Sequence, residues 1–166
     1  MKQVDWRPEW NVLDIGCGGG ANVKRLLKLC PQGKVYGMDL SEESVAFARR
    51  HNAGELDRRC FIQQGDVCSL PYGDGAFDAV TAFETVYFWS SVSKALAEVF
   101  RVIRKGGCFL ISLEASDPEL GKAWTERIKG MTVYGAEELK QLLSQAGFSD
   151  IRVIQKKEEL HIVAHK

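Results

Sequence analysis

Two hydrophobic periods alternate along the chain. Short, mostly apolar runs at residues 11–15 (NVLDI), 34–39 (KVYGMD), 60–64 (CFIQQ), 77–83 (FDAVTAF) and 108–113 (CFLISL) predict buried strands. Between them, apolar residues recur three and four apart. Val23, Leu26, Leu27 and Cys30 trace a helix face that stops at Pro31 and Gly33. Ser41 is placed to cap a helix running to about His51, with Glu42 and Glu43 in its first turn, where negative charge suits the helix dipole. A third helix from about Ser93 turns Leu96, Val99, Phe100 and Ile103 inward and closes at Lys105-Gly106-Gly107. Asp117-Pro118 reads as a cap with proline at the first helical position, opening a helix towards Gly130. Residues 136–146 form the last helix, stopped by Gly147. Two final strands, 151–155 and 160–164, are separated by so short a link that only an antiparallel hairpin fits.

Strands alternating with helices, then a terminal hairpin, predict an α/β fold: an open, doubly wound, mostly parallel sheet in an α/β/α sandwich with an antiparallel edge. No repeat or linker interrupts it, so residues 1–166 read as a single domain. The 22 basic residues balance 22 acidic ones, which removes the electrostatic case for nucleic acid or an acidic membrane as partner. No apolar run approaches the ~20 residues of a membrane helix, and the first ten residues carry no secretory signal. Five cysteines without CxxC spacing suit reduced thiols in a cytoplasmic protein. His161 and His165 fall in a strand, not at helical ligand spacing, so no metal site is expected.

The first strand runs directly into Gly16-Cys17-Gly18-Gly19-Gly20 and a helix. Glycines let backbone N–H groups approach a ligand, and a helix N-terminus favours negative charge. Gly16 to Ala21 satisfy G-x-G-x-x-G/A, and Asp39 ends the next strand, where it can accept from ribose hydroxyls. These features alone serve NAD and other adenosine ligands equally. Asp14 shifts the balance, because a carboxylate beside the loop suits a ligand carrying positive charge better than a pyrophosphate. Its other reading is a tether for loop amides. Asp66, after the third strand, is placed to accept from an adenine amino group, with the Val67 N–H completing that edge; the alternative is a turn residue.

Four blocks, VLDIGCGGG (12–20), YGMDLSEES (36–44), GDVCSLPYGDGAFDAV (65–80) and EVFRVIRKGGCFLIS (98–112), followed by the tail 132–153, resemble the class I S-adenosylmethionine-dependent methyltransferases, specifically the small type 11 group. The resemblance implies a Rossmann-like fold, S-adenosylmethionine as cofactor and S-adenosylhomocysteine as product. Asp14, Gly16, Cys17 and Gly18 would then hold the methionine part and Asp39 the ribose. Leu40 would pack on adenine, Asp66 and Val67 would read its edge, and Phe83 would stand where donor meets acceptor.

Methyl transfer is an in-line displacement that depends mainly on positioning, with a base needed only for a nucleophile that must lose a proton. Glu84 and Tyr87 are the candidate catalytic residues. Glu84 is placed to hold the donor's amino group or to orient a substrate, with a solvated loop charge as its other reading. Tyr87 is the weaker candidate, for a polar substrate contact. Phe88 and Trp89 suit either a pocket wall or core packing. No Asn/Asp-Pro-Pro-Tyr and no Pro-Cys follows the fourth strand, which disfavours amino methylation of adenine or glutamine and a cysteine nucleophile. Arg101 to Lys105 read as helix-end charges. The expected activity is methyl transfer to a small molecule. An NAD-dependent oxidoreductase and a binding-only domain retaining the nucleotide site are the alternatives. Ten residues precede the first strand, where relatives carry helices that cover the donor site. A short or absent N-terminal cap and fewer helices on one sheet face follow as expectations, together with either missing N-terminal sequence, cover from a partner such as a second copy in a homodimer, or weakened donor affinity.

Overall fold

The computed structural model describes residues 1–117, 121–157 and 159–166. In chain order the elements are β1 (Val12–Ile15), α1 (Ala21–Leu29), β2 (Val35–Asp39), α2 (Glu42–His51), β3 (Cys60–Gln64), β4 (Phe77–Phe83), a 3₁₀ turn (Val86–Phe88), α3 (Val92–Val102), β5 (Ile103–Leu113), α4 (Lys122–Thr125), α5 (Ala136–Gln145), β6 (Ser149–Lys156) and β7 (Glu159–His165). The strands form one sheet in the order β3-β2-β1-β4-β5-β7-β6. β3 to β5 run parallel, and β7 is antiparallel to both β5 and β6. The expected doubly wound sheet and terminal hairpin are both present, although Glu158 of the hairpin link lies outside the described residues.

Strand parity divides the core. Leu13, Ile15, Val80, Ala82, Phe109 and Ile111 face one side of the sheet, where Leu96 and Val99 of α3 and Leu139 and Leu143 of α5 pack. Val12, Ala79, Cys108 and Leu110 face the other, against Val23 and Leu26 of α1 and Val45 and Ala48 of α2. Each face therefore carries two long helices among the described residues, where an unequal division was expected. Trp10 packs on the second face, with Trp6 against its edge. α2 begins as the sequence requires, with the Ser41 hydroxyl accepting from Ser44 N, and Ser91 caps α3 in the same way through Lys94 N.

Two local expectations change. The helix expected from Asp117 towards Gly130 is one turn, Lys122–Thr125, and its expected start at Pro118 lies outside the described residues. Trp124 and Ile128 of this stretch are exposed, so no apolar stripe is buried to extend the turn. The turn expected at Lys105-Gly106-Gly107 instead belongs to β5. The ladder with β4 shifts register between Phe77↔Ile103 and Ala79↔Cys108, and Gly106 there adopts φ 75°. Regular pairing resumes at Cys108, where the sequence places the strand.

All five cysteines are buried and free. Burial raises the thiols of Cys30, Cys60 and Cys108 to about 11, as expected of packing residues.

Candidate functional site

β1 lies between β2 and β4, so the chain leaves the sheet in opposite directions on either side of it. A crevice opens at the carboxyl ends of strands at such a switch point. The crevice here is a cavity of about 620 Å³, lined by Ile15 and Gly16 after β1, Met38 to Ser41 after β2, Gly65 to Val67 after β3, and Glu84, Thr85 and Phe88 to Ser90 after β4. Its size suits a nucleoside-sized ligand. Because the sheet order is β3-β2-β1-β4, Asp66, Asp39, Gly16 and Glu84 succeed one another along the floor.

The glycine loop is shaped by contacts, not only by freedom. Gly16 has φ 65°, and a Cβ placed there would strike the Thr85 hydroxyl. The Cys17 N–H donates to Met38 O at 3.0 Å and the Gly20 N–H to Cys17 O at 2.9 Å. Asp39 joins the loop to α2. Its Oδ2 accepts from Gly18 N at 2.8 Å and its Oδ1 from Ser41 N at 2.9 Å. A carboxylate offers about four lone-pair positions, so two remain for ligand hydroxyls.

Asp14 is not the loop tether its alternative reading supposed; Asp39 has that part. Asp14 is 1% exposed, and the Thr81 hydroxyl donates to its Oδ1 at 2.6 Å. Its Oδ2 is buried without a hydrogen-bond partner. Burial, opposed by the Thr81 bond and aided by the charge of Asp39, raises the Asp14 carboxyl to about 7.

Asp66 makes the turn weighed for it, its Oδ1 accepting from Cys68 N at 2.8 Å, and the residue also lines the cavity. Val67 is 7% exposed and Leu40 70%, and both line the cavity. Four expected residues do not line it. Asp14, Cys17 and Gly18 lie behind its surface, and Phe83 packs against the core on the α1–α2 face.

After β4 the backbone turns sharply, and Glu84 adopts φ 55°, rare for a residue with a side chain. Its N–H donates to Ser112 O at 3.0 Å. Its Oε2 accepts from the Tyr87 hydroxyl at 3.0 Å and from Glu114 N at 3.1 Å, while the Ala115 N–H donates to the Tyr87 oxygen at 2.9 Å. Burial is the main cause that raises the Glu84 carboxyl above its ordinary range. Tyr87 is 4% exposed and does not itself line the cavity. The two aromatics separate: Phe88 is 51% exposed on the wall, whereas Trp89 is buried and stacks on Phe109 with one edge at the cavity.

Thr81 and Thr85 were not anticipated. Thr81 is an ordinary strand former in FDAVTAF, and only the register Asp14↔Thr81 between β1 and β4 exposes its role. Thr85 becomes visible through its contact with Gly16. Among the described residues, no cluster of His, Cys, Asp and Glu could hold a metal ion, and no helix is long and apolar enough to cross a membrane.

The family model described as "Methyltransferase domain" matches residues 13–111. A demethylmenaquinone methyltransferase of Symbiobacterium thermophilum is 36% identical over 120 residues, 71% of this chain and 47% of its own. Among solved structures, a SAM-dependent methyltransferase of Aquifex aeolicus is 26% identical with a TM-score of 0.81, over 98% of this chain and 85% of that one. The YcgJ protein of Bacillus subtilis is 28% identical with a TM-score of 0.80, over 93% and 68%. The chain spans about half the length of the curated relatives it matches.

Proposed function

The chain belongs to the methyltransferase domain family, and from that membership we propose that residues 1–166 act as one domain that binds S-adenosylmethionine in the β1–β4 cavity and transfers its methyl group to a small molecule. The observation that supports this most directly is the charge of the lining. Asp39, Asp66 and Glu84 are there, and among the described residues no Lys, Arg or His is. An anionic pyrophosphate would meet these carboxylates without a counter-charge, which disfavours NAD and with it the oxidoreductase alternative. A sulfonium and an ammonium are drawn in by the same field.

The residues fit that ligand. Asp39 offers its spare lone pairs to the ribose, and Asp66 with the Val67 N–H reads the adenine edge while exposed Leu40 covers the ring. Gly16 and Gly18 keep the loop close enough for the methionine part, with the Cys17 turn between them. Asp14 supplies the unsatisfied buried oxygen that a cation behind the loop would complete. When bound, the donor supplies a methyl carbon attached to a neutral thioether leaving group. The chain's part is to hold the reacting atoms in line and keep water from them. Phe83 ends β4 at the turn from which Glu84 reaches the acceptor side, with the Tyr87 hydroxyl fixing its carboxylate from behind. Buried free thiols accord with a cytoplasmic setting, and a homodimer is the assembly proposed for this domain, to be read from its mass in solution.

Calorimetry with S-adenosylmethionine, S-adenosylhomocysteine and NAD tests the reading. Saturable binding of the first two, at least tenfold weakened by Asp39→Asn, with none for NAD, is expected. Preference for NAD would overturn it. Binding without methylated product from any acceptor would leave the binding-only domain.

A further inference from the structure

We infer that the methyl acceptor is an apolar amine and that Glu84 takes the proton its nitrogen must lose. This rests on the donor reading above and deepens it. Asp66, Asp39 and Gly16 occupy the cavity floor from β3 to β1, which leaves the β4 end for the acceptor. That end is built from Glu84, Thr85 and Phe88, while Trp89 and Ser90 continue the wall back towards β3, with Ser90 Oγ 3.5 Å from Cys68 Sγ. Aromatic walls beside a carboxylate favour an apolar body carrying a positive charge. A carboxylic acid or phenolate acceptor would bring negative charge into a cavity that already holds three carboxylates and no lining cation.

Glu84 is held for this task by its own neighbours. The Tyr87 hydroxyl and the Glu114 N–H fix Oε2, whereas Oε1 accepts no hydrogen bond from the described residues. The backbone keeps a left-handed conformation to present it. The charged groups that act on Glu84 are Glu114, which opposes its ionisation, and His161 of β7, which favours it. His161 is itself held by Ser112 and Glu159.

The step balances. A proton passes from the ammonium of the acceptor to Glu84 Oε1, freeing the nitrogen lone pair. That pair forms the N–C bond to the methyl carbon as the C–S bond breaks, its electrons going to sulfur. The product is an N-methylammonium and a neutral thioether. The Glu84 carboxyl lines the cavity and is held above its ordinary range mainly by desolvation, which suits such a transfer.

The test uses phenethylamine, tryptamine and dodecylamine against phenylacetate and 4-ethylphenol. Binding is measured by calorimetry on protein saturated with S-adenosylhomocysteine, and turnover by formation of S-adenosylhomocysteine from S-adenosylmethionine. At least one amine is expected to bind about tenfold tighter than either oxygen compound and to be N-methylated, since phenylacetate meets like charge across the site and neutral 4-ethylphenol brings no positive charge to the carboxylates. Glu84→Gln should weaken amine binding about tenfold and lower kcat about 100-fold, while S-adenosylmethionine, which also has Asp39 and Asp66, should lose clearly less affinity than the amine does. Tyr87→Phe, which keeps the carboxylate but leaves Oε2 only the Glu114 N–H, removes a bond that favours the ionised form and should shift the pH profile of kcat upward, and no shift or a downward one would overturn the role of Glu84. Preference for phenylacetate or 4-ethylphenol, indifference of amine binding to Glu84→Gln, or binding of no amine would each overturn the inference. Failure of S-adenosylmethionine itself to bind would instead strike the donor reading, so the two failures are distinguishable.

Discussion

The Thr81 hydroxyl donates a 2.6 Å hydrogen bond to Asp14 Oδ1 across the parallel pair β1–β4, where both residues are directly opposed and buried. A hydroxyl that donates favours the ionised carboxylate against burial, and even with that bond in place the group stands at about 7. Thr81→Val keeps the shape and removes the donor. Asp14 then stays protonated to higher pH and loses its attraction for a cation. At pH 7 the variant should bind S-adenosylmethionine about tenfold more weakly than wild type, the gap closing by about pH 9. Calorimetry across that range checks it, and parallel pH curves would remove Asp14 from donor binding.

The same carboxyl governs stability without ligand. Its folded value of about 7 lies above the reference of 3.8, so the folded protein retains a proton that the unfolded chain has released. The unfolded state therefore binds fewer protons between these values, and stability falls as pH rises through roughly 4 to 7. Asp14→Asn keeps an acceptor for Thr81 and abolishes the penalty. It should be more stable than wild type at pH 8 by about 2 kcal/mol or more, with little difference near pH 4. Urea unfolding at both values decides, and a wild-type protein more stable at pH 8 would reverse the argument.

The outline of this site was legible because local signals agreed. Apolar runs ended in glycine or aspartate at β1, β2 and β3, and sheet topology brings those ends together without further information. Asp66 stayed ambiguous because a turn aspartate and a ligand-facing one look alike in sequence; in the structure it makes the turn bond and also lines the cavity. Thr81 could not be singled out, since its partner is 67 positions away and only strand register opposes them. The helix expected after Asp117 failed for a related reason. Capping residues announce a start, but length depends on a buried face, and Trp124 and Ile128 find none.

Two glycines of the loop separate steric from conformational cost. Gly16 and Gly18 both have positive φ, yet an added Cβ meets Thr85 at Gly16 and open space at Gly18. Gly18→Ala should cost only the backbone strain, about 1 kcal/mol. Gly16→Ala adds a collision and should cost about 3 kcal/mol or more, part of it recovered in Gly16→Ala/Thr85→Ala. Equal losses in denaturant unfolding, with no recovery in the double variant, would show that Thr85 does not shape the loop.

Phe88 and Trp89 are adjacent aromatics with opposite duties, and truncation should reveal it. Trp89 is 9% exposed and stacked on Phe109 at 6.5 Å, so Trp89→Ala opens the core beneath α3 and should cost about 3–5 kcal/mol. Phe88 is 51% exposed, so Phe88→Ala should cost less than about 1 kcal/mol. Its effect belongs to the acceptor: KM for the methyl acceptor should rise with the affinity for S-adenosylmethionine unchanged, because Phe88 lies at the β4 end, away from Asp39 and Asp66. A large loss of stability in Phe88→Ala, or a matching loss of donor affinity, would place that ring in the core or the donor site and leave the acceptor wall without its principal apolar surface.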